Sequence, residues 1–150
     1  METQATNRSK FYKNLLLLTV GGGVAFWVFT YPFSLLPIAA DFRAALSISY
    51  FQVVIVESLI GGMIISGILS YLMLRFFGKI PTKNPILKSV ILSTIALIID
   101  LVLISVAAIR TSNALNVVLI GAVLNIPRFL FVGVAIGYLY NEIKKREQRK

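Results

Sequence analysis

The chain has 150 residues, 57% of them hydrophobic and 14% charged, with a formal net charge of +9 and neither histidine nor cysteine. So little polar surface cannot cover a water-soluble globule of this size, which excludes a soluble domain and leaves lipid as the solvent. The missing residue types exclude disulfides, thiolate nucleophiles, the common zinc and haem ligand sets and Ser-His catalysis.

Four apolar stretches dominate the pattern, at about residues 14–39, 48–76, 86–109 and 114–140. A hydrocarbon core about 30 Å thick takes roughly 20 apolar residues in a helix, so each stretch is long enough to cross. In hydrocarbon only helices or a closed barrel satisfy their backbone groups, and continuous Leu, Ile, Val and Phe lacks the alternation of barrel strands. The expected fold class is therefore all-α: a polytopic integral membrane protein with four transmembrane helices in an antiparallel bundle. Residues 1–150 are read as a single membrane domain with short tails.

Residues 1–10 are polar and expected to be disordered, and Phe11 and Tyr12 mark the headgroup level at which the first helix is expected to start. Its apolar run exceeds the roughly 7–15 residues of a signal-peptide core and reads as a retained helix. The glycines at 21–23 strip one turn of side-chain bulk, while Pro32 and Pro37 predict a kink or an early end near Pro32. An outer loop at about 40–47 carries Asp41 and Arg43 and leads to an interfacial aromatic pair, Tyr50 and Phe51.

The second helix holds Glu57 and repeats small residues every four positions at Ser58, Gly62, Ser66 and Ser70, a stripe along which another helix can approach closely. Packing within a small bundle is favoured over an oligomer seam, since both use the same small-residue physics. Pro81 and Pro85 in the loop at 78–85 restrict their predecessors, so helix two cannot run into helix three. Helix three contains Asp100. The turn Arg110-Thr111-Ser112-Asn113 is short enough to make helices three and four antiparallel neighbours. Helix four contains Asn125, Pro127, Arg128 and the small pair Gly133 and Gly137, and the polar stretch from Asn141 reads as a basic extension beside anionic lipid.

The basic residues also set an orientation. Arg8, Lys10, Lys13, Arg75, Lys79, Lys83, Lys88, Lys144, Lys145, Arg146, Arg149 and Lys150 fall on one side of the spans, against Arg43 and Arg110 on the other. The positive-inside rule then puts both termini in the cytoplasm and makes the plasma membrane the expected location. Topology accounts for the basicity, and the cationic stretches lack interleaved aromatics, so no nucleic-acid partner is expected.

Glu57, Asp100 and Arg128 are ionisable residues well inside the spans, with Asn125 three residues before Arg128 on the same helical face. Estimated from the outer helix ends, the three charged groups can meet at one level. Charge at that depth pairs, faces the bundle interior or lines a wet cavity. Two readings are open. In the structural one Arg128 bridges both carboxylates and fixes how the helices pack; in the functional one the cluster is a relay or coordination site with one acid in excess. Two functions compete accordingly: translocation of an ion, proton or small solute, as an oligomer, or an accessory subunit of a larger membrane complex. Neither reading involves an enzyme, a cofactor or a bound metal, because no nucleophile-base pair, metal-ligand cluster or phosphate-cradling loop is present in the sequence.

Overall fold

The computed structural model describes residues 2–47 and 51–149, with side chains over 8–47 and 54–149. Its elements, in chain order, are α1 (Glu2–Ser34), α2 (Pro37–Ala45), α3 (Phe51–Phe76), a short 3₁₀ turn (Phe77–Lys79), α4 (Pro85–Ala108) and α5 (Ala114–Gln148). The described residues contain no strand. Four of the helices, α1, α3, α4 and α5, are long and apolar enough to cross a membrane.

Helix α1 begins at Glu2 rather than near residue 14, so the polar segment before Phe11 is helical. Nothing between Glu2 and Lys13 breaks a helix: the segment lacks glycine and proline, and its Ala, Gln, Lys and Arg are good helix formers. At its other end α1 continues through Pro32 and stops at Ser34, five residues short of the expected boundary at 39. The last turn tightens, with Leu35 N–H donating to the Pro32 carbonyl at 3.2 Å and Leu36 N–H to that of Phe33 at 3.3 Å. Leu36 is extended at ψ 142°, as a residue preceding proline tends to be, and Pro37 opens α2. The segment at 40–47, expected as a loop, is thus helical as far as Ala45. Tyr50 and the side chain of Phe51 lie outside the described residues.

The long helices associate as two close pairs, α1 with α3 and α4 with α5; the pairs meet chiefly through α1 and α5, and α3 touches α4 only lightly. Glycine sets both close approaches. A Cβ on Gly22 would meet Ile136 Cγ1 and Ser66 Oγ, each at 2.8 Å, and one on Gly62 would meet Phe26 Cδ1 at 2.9 Å and the Gly23 carbonyl at 3.2 Å. In the other pair a Cβ on Gly133 would meet Ser93 and the Val90 Cα, and one on Gly137 would come within 2.5 Å of the Ile86 Cα. Such small-residue contacts replace the hydrophobic drive that is missing between helices in lipid.

The core these seams enclose is built from Leu18, Phe26, Leu69, Met73, Leu97, Phe129, Val132, Ile136 and Tyr140. Phe26 and Phe129 meet edge to face at 5.8 Å across α1 and α5. Outside it, α4 turns Ile95, Ile98, Ile99, Val102, Leu103 and Val106 outward. That surface is one for acyl chains rather than for water.

Candidate functional site

Glu57, Asn125 and Arg128 come together at the end of the bundle where α1 stops. The break after Ser34 turns α2 back over the helices, and Arg43, nine residues on, donates from Nη1 to the Ser34 carbonyl at 2.9 Å. A guanidinium thereby satisfies one of the orphan carbonyls at a helix C-terminus, where the helix dipole also favours positive charge. Ala39, on the inner face of α2, is only 3% exposed, so this short helix is seated on the bundle rather than lying loose over it.

Between α2, the start of α3 and the middle of α5 lies a cleft of roughly 90 Å³, lined by Ser34, Ala39, Phe42, Arg43, Val54, Glu57, Leu124, Asn125 and Arg128. Asn125 and Arg128 are one helical turn apart on α5, and Arg128 Nη1 donates to Asn125 Oδ1 at 3.2 Å. Only the amide oxygen can accept from a guanidinium, so this bond fixes the amide orientation and leaves Nδ2 as a donor. Arg128 Nε is buried and has no hydrogen-bond partner among the described residues. Pro127, inside α5, has no N–H to offer the carbonyl of Val123, which loosens the backbone ladder beside the arginine.

Of the four residues expected to cluster, Glu57, Asn125 and Arg128 line one cleft, and Asp100 does not. Asp100 sits near enough to Arg128 for their charges to attract. Salt bridges form at Lys144–Glu147 and Lys145–Glu142 in the tail of α5, but among the described residues Arg128 bridges neither carboxylate. Asp100 is half-buried with Oδ2 enclosed and without a partner among the described residues, and Glu57 is exposed. Counting residues along a span yields the depth of a group but not its bearing around the helix axis, on which its access to a given cleft also depends.

The small residues sit in the helix seams. Gly62 and Ser66 lie where α3 meets α1, and Gly133 and Gly137 where α5 meets α4. Ser66 and Ser70 are fully buried, with hydroxyls that have no partner among the described residues, while Ser58 is half-buried and donates to the Ile55 carbonyl at 2.9 Å. Gln52, which by sequence could supply a further hydrogen bond to the charged cluster, has its side chain outside the described residues. Ser93 and Thr94 both donate to the carbonyl of Val90, at 2.9 Å each, and so serve their own helix rather than the cleft.

Sequence reasoning missed Arg43 as a lining residue, having counted it only as a topological charge. The available signal was Pro37 followed by Ile-Ala-Ala-Asp-Phe-Arg-Ala-Ala, a helix-competent segment that starts on proline. No protein-family model, curated protein or solved structure matches the chain.

Proposed function

We propose that the chain is a small multi-pass protein of the plasma membrane that translocates an ion, proton or small solute as an oligomer, and that the cleft is its binding point. The four long helices then cross as an antiparallel bundle with both termini cytoplasmic, the cleft opening near the outer face. The reading rests on one observation: two guanidiniums, a carboxylate and a carboxamide line the same cleft within helices otherwise composed for lipid. Polar groups at that depth carry a desolvation cost and are characteristic of solute and ion pathways. Oligomerisation enters because the interior beside the cleft is filled by Phe26, Phe129, Val132 and Ile136, so a path across the membrane has to run along a junction between copies. The reading is non-enzymatic.

Flux into proteoliposomes tests it. Uptake should fall in Glu57→Gln and Asp100→Asn variants that retain normal helicity and yield, and unchanged uptake in both rejects the proposal.

A second reading has support of its own. The broad apolar surface of α4 suits docking onto a larger membrane complex, which would make the chain an accessory or assembly subunit. Mild detergent extraction separates the two: a stoichiometric larger partner favours the accessory role, and a homo-oligomer favours translocation.

A further inference from the structure

We propose that the cleft binds a small oxyanion, a carboxylate or a phosphate group, through its two arginines. This rests on the transport reading for the step after binding and deepens it by giving the class of solute. The charge of the lining carries the argument. Arg43 and Arg128 both line the cleft, against a single carboxylate, Glu57, which is exposed and so belongs to the rim. Two cations gathered in a largely apolar surrounding repel each other, and an anion between them converts that repulsion into attraction.

The donors are already set for such a guest. The charge of Arg43 is positioned by its bond to the Ser34 carbonyl. Arg128 is held by Asn125, whose amide nitrogen keeps two hydrogens to donate, while the arginine Nε has no partner among the described residues. Guanidinium forks match the spacing of carboxylate and phosphate oxygens, which a compact ammonium does not. Asp100 lies outside the lining, so its attraction for Arg128 takes up none of the space. A cleft of roughly 90 Å³ admits a group of a few non-hydrogen atoms, with any remainder of the molecule left beyond the mouth.

The test uses the full chain in nanodiscs of neutral phosphatidylcholine, titrated with acetate and with inorganic phosphate, and monitors the side-chain resonances of ¹⁵N-labelled arginine. Saturable shifts are expected for the wild type. Arg128→Gln should weaken binding by about tenfold or more, the loss of a charge-assisted hydrogen bond. Glu57→Gln, at the rim of the cleft, should tighten binding by about threefold, since it removes the opposing charge, and uptake then falls because the tighter-held anion leaves more slowly. The inference is overturned if the folded wild type binds neither anion, if Arg128→Gln binds like wild type, or if Glu57→Gln weakens binding. Repeating the titration in discs containing phosphatidylglycerol, at an ionic strength of about 0.5 M so that the lipid's surface charge does not itself deplete the anion, identifies the source of the oxyanion. Weaker apparent acetate affinity there makes a lipid headgroup the occupant and equal affinity makes it a free solute, and both outcomes uphold the site. Binding without flux upholds the site and removes the transport reading; cation flux without anion binding does the reverse.

Discussion

A lysine that is only 4% exposed is tolerable at the end of a membrane-length helix only because of what its ammonium touches. Lys88 Nζ donates to the Phe77 carbonyl, at the turn after α3, and lies 3.7 Å from the centroid of the Phe77 ring. That ring in turn stacks on Tyr140 of α5 at 4.8 Å, so one side chain ties the ends of three helices. Lys88→Met keeps the apolar stem but leaves the carbonyl without its donor, and should cost about 1–3 kcal/mol, read as a lower melting temperature in detergent. Lys83→Met, at an exposed loop position, should melt like wild type, and equal loss in the two variants would show that charge in the loop, not the bond, matters. In the sequence Lys88 and Arg43 were legible only as charges that orient the chain. Both in fact bond backbone carbonyls at helix ends, and a residue pattern does not show which carbonyls a chain break leaves open.

Between helices, the spacing of small residues announced that close seams exist but not which helices they join. Gly62 and Ser66 proved to face α1, and Gly133 and Gly137 to face α4. The second seam is the less forgiving, because a Cβ on Gly137 meets backbone, the Ile86 Cα at 2.5 Å and the Pro85 carbonyl oxygen at 3.0 Å, with no flexible side chain to give way. Gly137→Val should therefore destabilise the α4–α5 pair by about 2 kcal/mol or more. Gly61 makes the contrast, since a Cβ there has nothing within 4 Å. Gly61→Ala should be neutral or stabilise α3 by up to about 1 kcal/mol, and comparable melting points for the two variants would contradict the packing described. The short helix α2 escaped prediction for a related reason: Pro37 reads equally as the end of one helix and the first residue of another.

At the scale of the whole molecule, the four membrane-length helices were legible because length and apolar composition are one-dimensional properties. The proposed orientation is open to direct measurement, and the lack of native cysteine supplies a clean background for single-cysteine labelling. In intact cells an impermeant maleimide should modify Asn113→Cys and spare Lys83→Cys until the membrane is opened. The opposite pattern would invert the topology and move the cleft to the inner face. The pairing of helices has a further consequence for biosynthesis. Helices α1 and α3 complete one glycine-closed hairpin before α4 has left the ribosome, and α4 and α5 form a second, the two connected by residues 80–84 and scarcely touching through α3 and α4. Each hairpin can thus leave the translocon already closed. A gene cut between codons 81 and 82 should still give, from two coexpressed fragments, an assembly that purifies as one species, joined along the face that α1 and α5 share.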